Sequence, residues 1–284
     1  MLLSELKRIF HKELDALYGK EEVSSFFYLL TEEYLGLERF VLAIQPDLRI
    51  QKNEEPKMFE ALSALKEHRP IQHIIGSAHF MGMDFKVGPQ VLIPRPETEE
   101  LVRWVLADVD KQANLDILDM GTGSGCIAIG LAKSLKNASV QALDISEEAL
   151  EVARGNALKN EVDVHFFKAD MLDFLSELSF DIIISNPPYV RELKKNKMNK
   201  NVLLFEPESA LFVSNEDPLI FYRGVARFAS KHLKPNGMLY LEINQYLGPE
   251  TCTLLDTFDF NTIELRKDMY GNDRMIKAIK NSQL

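Results

Sequence analysis

The sequence predicts an α/β protein: a seven-stranded sheet flanked by helices, with a helical bundle before it and a β-hairpin linking the two. Three observations predict it. An apolar run at 115–118 passes through a glycine-rich turn into a helical stretch at 127–132. That is the strand–loop–helix unit that opens a doubly wound sheet, where ligands bind at the carboxyl ends of the strands. Short apolar strands then recur at 140–144, 164–170, 180–185 and 237–243, the last preceded by a helical segment at 219–233 and the turn Lys234-Pro235-Asn236-Gly237. Two final strands, 262–267 and 275–279, follow each other directly around Tyr270-Gly271-Asn272-Asp273-Arg274. An antiparallel hairpin at the sheet edge follows, which a plain dinucleotide-binding fold does not have.

The elements can be justified in chain order. Leu2, Leu3, Leu6, Ile9, Phe10 and Leu14 recur at helical spacing. Further helical segments lie around 23–30, 36–43 and 56–68, with Ser24 and Thr31 as helix starts and Pro46-Asp47 as a break. Alternation around Gly82 predicts a hairpin. The domains expected are 1–72 (helical), 73–94 (linking hairpin) and 95–284 (sheet). At the last boundary, Pro94-Arg95-Pro96 makes a stiff corner, and Pro96 with the acids after it suits a first helical turn. Arg95 and Thr98 either form that corner or close over a bound cofactor.

Composition narrows the function. The chain has 284 residues, 46% of them hydrophobic and 27% charged, enough for two cores. No apolar run approaches the roughly 18 residues of a membrane span, and the first residues read as an amphipathic helix rather than a signal peptide. Two cysteines make neither a disulfide framework nor a metal set, so a reducing cytoplasm and no metal are expected. Cys126 reads as small-residue packing. A net charge of −10 argues against broad binding to nucleic-acid backbones. The stretch 191–201 is locally lysine-rich, either a solvated loop or a contact surface beside the site.

Asp119-Met120-Gly121-Thr122-Gly123-Ser124-Gly125-Cys126 is the first chemical motif. A dinucleotide loop would need glycine where Cys126 stands. The string resembles instead the cofactor loop of class I S-adenosylmethionine methyltransferases. That likeness implies that Gly121, Thr122, Gly123, Ser124 and Gly125 bring backbone to the amino-acid half of the cofactor, and that Asp119 faces its ammonium group directly or through water. Two further strands end in acids. Asp144 can accept both ribose hydroxyls, because a carboxylate has lone pairs for several donors. Asp170 can accept from the adenine amine while Met171 packs on the ring. Each acid can equally cap the next helix.

Asn186-Pro187-Pro188-Tyr189, directly after a buried strand, is the second motif. The Asn186 side-chain oxygen and the Pro187 carbonyl can each accept from the NH2 of a planar group. Proline removes competing N–H donors, and Tyr189 can wall the plane.

Together these strings identify the chain as similar to the HemK/PrmC family. The likeness rests on Gly76 with Phe80, Leu92-Ile93-Pro94-Arg95-Pro96-Glu97-Thr98-Glu99, the glycine loop, Asn186-Pro187-Pro188-Tyr189, Phe205-Glu206-Pro207 with Ala210-Leu211, and Gly271-Asn272-Asp273-Arg274. It implies a Rossmann-like class I methyltransferase domain. It also implies S-adenosylmethionine as cofactor and methyl transfer to the N5 amide nitrogen of glutamine in the Gly-Gly-Gln loop of peptide chain release factors. The helical domain would help hold the protein substrate, and the enzyme would be a cytoplasmic monomer. Asn186, Pro187, Pro188 and Tyr189 would bind the target amide, Asn186, Pro187 and Tyr189 being catalytic and Asn186 also touching the cofactor, with no general base at the slot. Alternatives are N5-glutamine methylation of a ribosomal protein and amino-methylation of adenine in DNA or RNA. The chain departs from the family at Met171, where an aromatic residue is common, and at Asn244-Gln245 after Glu242, where a glycine is common. Neither departure is expected to touch the transfer chemistry.

Overall fold

The computed structural model describes residues 1–281, so the last three residues of the expected 95–284 domain lie outside the described residues. The chain divides into a helical unit, Met1–Gly76 with Asn199–Phe205, and a sheet unit, Ser77–Met198 with Glu206–Leu284.

In the helical unit, α1 (Leu3–Tyr18) buries Leu3, Leu6, Phe10 and Leu14, a stripe at spacings of three and four. Gly19, at φ 82°, turns the chain into α2 (Lys20–Leu35), whose Phe27 meets Phe10 edge-on at 5.4 Å. Ser24 and Thr31 start no helix: both sit inside α2, where buried Thr31 returns its hydroxyl proton to the Tyr28 carbonyl. The helical segment expected at 36–43 reduces to α3 (Val41–Ile44), because Gly36 ends α2 in the left-handed region. Next come α4 (Glu55–Lys66), with proline in its first turn, and α5 (Ile71–Ile75), closed by Gly76 at φ 79°.

The sheet unit opens with the hairpin β1 (Ser77–Phe80) and β2 (Met83–Lys86). Met81 and Gly82 both take positive φ, the two-residue turn that matches strand twist. Then follow α6 (Pro96–Asp108), β3 (Asp116–Met120), α7 (Cys126–Ser134), β4 (Ser139–Asp144), α8 (Glu147–Lys159), β5 (His165–Lys168) and β6 (Phe180–Ser185). A small parallel pair, β7 (Val190–Arg191) and β8 (Phe212–Val213), encloses a 3-10 turn, α9 (Lys200–Phe205) and α10 (Glu208–Leu211). The chain ends with α11 (Ile220–His232), β9 (Leu233–Glu242), α12 (Gly248–Asp256), β10 (Phe260–Lys267) and β11 (Asp273–Lys280).

The main sheet has seven strands in the order β10-β11-β9-β6-β3-β4-β5. β3, β4, β5, β6 and β9 run parallel, and β11 is antiparallel to both its neighbours. Successive residues serve opposite cores: Ile117, Ile182 and Ile184 pack on one face, Leu118 and Ile183 on the other. Burial on both faces explains the continuous apolar strands. Lys234-Pro235-Asn236-Gly237 makes no separate turn before the strand. It is a bulge inside β9, where pairing with β6 jumps from Phe180↔Leu233 to Ile182↔Met238. Strand order reverses at β3, so a crevice forms outside the carboxyl ends of β3, β4 and β6. Among the described residues no helix is long and apolar enough to cross a membrane.

Candidate active site

The loop after β3 depends on glycine for its shape. Gly121, Gly123 and Gly125 all take positive φ, at 82°, 53° and 82°. The Gly121 and Thr122 amides donate to the Leu143 carbonyl at 2.9 and 3.0 Å, pinning the loop to the end of β4. A Cβ on Gly121 would lie 2.6 Å from Met171 Cε, whereas one on Gly123 would meet nothing within 4 Å. The loop therefore presents open backbone at Gly123 and a thioether at Gly121. Behind it, Asn156 on α8 is fully buried. Its Oδ1 accepts from the Lys86 amide at 2.7 Å, and its Nδ2 donates to the carbonyls of Lys86 and Ser124 at 3.0 and 2.9 Å. One side chain thus ties hairpin, α8 and glycine loop together.

Three acids stand at the strand ends. Asp119 is fully buried under the loop. Its Oδ2 accepts from the Thr122 hydroxyl at 2.6 Å, while Oδ1 makes no hydrogen bond of ordinary geometry. Burial pushes this carboxyl up to about 7, against some relief from the Thr122 hydroxyl and the Ala128 amide. Asp144 accepts from the Gly123 amide at 2.9 Å through Oδ2 and from the Ser146 amide at 3.0 Å through Oδ1. Burial raises its pKa too. Asp170, two residues past β5, accepts from the Leu172 amide at 2.9 Å.

A cavity of about 330 Å³ opens at this crevice. Arg95, Thr98, Gly121, Thr122, Gly123, Ser124, Asp144, Asp170, Met171, Asn186 and Pro188 all line it. Asp119, Gly125, Pro187 and Tyr189 do not reach its wall. The sequence did not single out the apolar lining at Ile145, Leu172 and Phe221. Those residues scatter over two loops and the first turn of α11 and share no motif.

The slot after β6 is braced from behind. Ser185 donates to the Met120 carbonyl at 2.6 Å, locking β6 to β3 where both strands end. The Asn186 Nδ2 donates to Thr98 Oγ1 at 3.1 Å, and Thr98 Oγ1 donates to Glu242 Oε2 at 2.6 Å. The Tyr189 hydroxyl donates to Glu242 Oε1 at 3.0 Å. Glu242 is buried at the end of β9, and burial raises its pKa although two hydroxyls donate to it. Burial and this carboxylate hold the Tyr189 phenol well above its ordinary pKa. Asn244 was expected to stand clear of the chemistry, yet its Nδ2 donates to the Tyr189 carbonyl at 2.9 Å. Its own amide donates to the Tyr222 hydroxyl at 2.9 Å. The departure from glycine here supports the slot instead.

Sequence reasoning missed Glu242 and Asn244 as site residues. Glu242 pairs across strands with no local motif, and nothing in the sequence shows where its carboxylate points. Glu206 was noted only within a string. It is buried and accepts from the Ile93 amide at 3.1 Å and from Arg95 Nη2 at 2.5 Å. The Arg95 corner is thereby held by charge as well as by proline. Cys126 is buried and burial pushes its thiol up to about 12, as packing requires of an inert cysteine.

Known proteins share this architecture and much of this sequence. Residues 10–76 match the family described as PrmC N-terminal domain, and 101–214 the family described as methyltransferase small domain. A release factor glutamine methyltransferase of Flavobacterium psychrophilum is 48% identical over 284 residues, covering 98% of this chain and 99% of that protein. One from Bacteroides thetaiotaomicron is 40% identical over 97% of this chain and 99% of its own length. Among solved structures, a methyltransferase from Pyrococcus furiosus superposes with a TM-score of 0.53 at 20% identity, over 81% of this chain and all of that one, a likeness of fold.

Proposed function

The chain belongs to the release factor glutamine methyltransferase family, and from that premise we infer that it transfers a methyl group from S-adenosylmethionine to the N5 amide nitrogen of the glutamine in the Gly-Gly-Gln loop of peptide chain release factors. The observation that carries the reading is Asn186: it lines the same cavity as the glycine loop with its NH2 end already engaged by Thr98, so its oxygen is left to accept from an incoming NH2.

The residues present fit the cofactor. Oδ1 of Asp119 keeps acceptor capacity under the loop, and because Asp119 does not reach the cavity wall it would serve an ammonium group through an intervening water. Gly123 offers backbone with open space in front of it. Each oxygen of Asp144 accepts one backbone N–H and keeps a lone pair for a ribose hydroxyl. Asp170 and Met171 on the same wall suit the adenine amine and ring, and Arg95 closes the rim. When bound, the cofactor supplies a methyl group on an electrophilic sulfonium.

The protein supplies position. An amide nitrogen is a weak nucleophile because its lone pair is delocalised. Asn186 Oδ1 would accept one of its N–H groups, aim it, and favour the positive charge that grows on it during transfer; Pro187, behind the wall, would hold Asn186 in place. Pro188 would confine the amide plane, and Tyr189, tied behind the wall to Glu242, would brace it. The proton is lost afterwards to solvent-linked groups. Residues 1–72 would hold the body of the release factor, and the enzyme would act as a cytoplasmic monomer without touching nucleic acid.

Transfer of labelled methyl from S-adenosylmethionine to a purified release factor tests this, beside a factor whose Gly-Gly-Gln glutamine is alanine. Label on the first and none on the second is expected. Asn186→Ala should cut transfer on the order of a hundredfold while cofactor affinity stays within a few-fold. No label on either factor, with cofactor bound, overturns the substrate and turns the search to a ribosomal protein or to nucleic acid.

A further inference from the structure

We propose that Glu242, acting through Thr98, is a positioning residue that fixes which end of the Asn186 amide faces the substrate. This rests on the reading of Asn186 given above. An asparagine amide presents an acceptor at one end and a donor at the other, and the two ends have almost the same shape. A methyl-accepting slot needs the oxygen end turned to the substrate NH2; the nitrogen end would oppose donor to donor. Nothing in Asn186-Pro187-Pro188-Tyr189 makes that choice.

Glu242 makes it. The carboxylate has acceptors only, so the Thr98 hydroxyl at 2.6 Å must spend its single proton there. The Thr98 oxygen then has only lone pairs to offer Asn186, 3.1 Å away, and can meet only its Nδ2. Oδ1 is left for the cavity. The second oxygen of Glu242 takes the Tyr189 hydroxyl at 3.0 Å, so one carboxylate orders both side chains of the slot. Thr98 and Glu242 are almost fully buried, at 3% and 1% exposure, which keeps water from substituting for either partner. Glu242 is absent from the cavity wall, so its effect on the substrate runs through its neighbours.

Thr98→Val keeps the shape and removes the hydroxyl, and Thr98→Ser restores the hydroxyl. Glu242→Gln offers one acceptor where two hydroxyls donate. Its NH2 must either turn Thr98, and with it Asn186, or leave the Tyr189 proton unpaired. For each variant one measures kcat and KM for the release factor, the Kd of S-adenosylmethionine by calorimetry, and the unfolding midpoint. We expect Thr98→Val and Glu242→Gln to lose about tenfold or more in kcat, with KM and cofactor Kd within about threefold of wild type, and Thr98→Ser to recover most of kcat. Retention of kcat within about threefold in folded Thr98→Val or Glu242→Gln overturns the proposal. So does a loss that Thr98→Ser fails to recover, or one matched by loss of cofactor affinity. Failure of the wild-type enzyme to label the release factor would count against the substrate assignment instead, and the two failures are read from different proteins.

Discussion

Asp119 shows most clearly how burying one ionisable residue bears on stability. Its folded carboxyl sits near 7 rather than at the ordinary 3.8, because the site is buried. The unfolded chain therefore ionises first as pH rises, and the empty fold loses stability between about 4 and 7, up to the point where the folded carboxyl also ionises. Above that it carries a buried charge lacking a full partner. A cationic ligand beside it reverses the balance. Asp119→Asn is thus expected to raise the unfolding temperature of the unliganded protein more at pH 8 than at pH 5, and to weaken cofactor binding most above pH 7. Calorimetry at the two pH values, with and without S-adenosylmethionine, checks both. An equal effect of the substitution at pH 5 and pH 8 would remove the charge from this account.

At the scale of elements, the glycine loop is held by neighbours more than by itself. Asn156 satisfies both backbone groups of Lys86 and the Ser124 carbonyl. Asn156→Leu would leave the buried Ser124 carbonyl and two part-buried backbone groups of Lys86 without this partner and is expected to lower unfolding free energy by roughly 2 kcal/mol, measured by urea denaturation. Cofactor affinity should fall with it, because Ser124 belongs to the loop. Nothing in the sequence pointed to Asn156, whose partners lie 70 and 32 positions away. The strands and the glycine loop were legible because apolar runs and positive-φ turns are local constraints. So were the positions of Asp144, the last residue of β4, and Asn186, the first residue after β6. Glu242, Glu206 and Asn244 were not, because their partners lie far away along the chain and are brought up only by the fold. The bulge in β9 was read as a turn for a related reason: proline and glycine mark a break in pairing, yet only the neighbouring strand decides whether the break ends the strand.

For the whole molecule, the chain holds a single tryptophan, and Trp104 is buried in the sheet unit, edge-on to Tyr240 at 5.5 Å. The helical unit has none, so tryptophan emission during denaturation reports the sheet unit alone, while circular dichroism reports both. A denaturation series followed by both probes is expected to show cofactor shifting the fluorescence midpoint upward, since the cavity lies wholly in the sheet unit. An unmoved fluorescence midpoint at saturating cofactor would place the binding site elsewhere.

The assignment of α9 to the helical unit bears on how the protein can be taken apart. The chain passes between its two units three times, at residues 76/77, 198/199 and 205/206. The last crossing falls immediately before Glu206, which holds Ile93 and Arg95. A fragment beginning at Ser77 would keep α9 after losing every helix it belongs with, exposing the Phe205 ring that Arg69 otherwise covers. Dissection at one boundary, the habit with two-domain enzymes, would thus produce an orphaned helix directly before Glu206. A clean excision must also replace 199–205 with a flexible link ending short of Glu206.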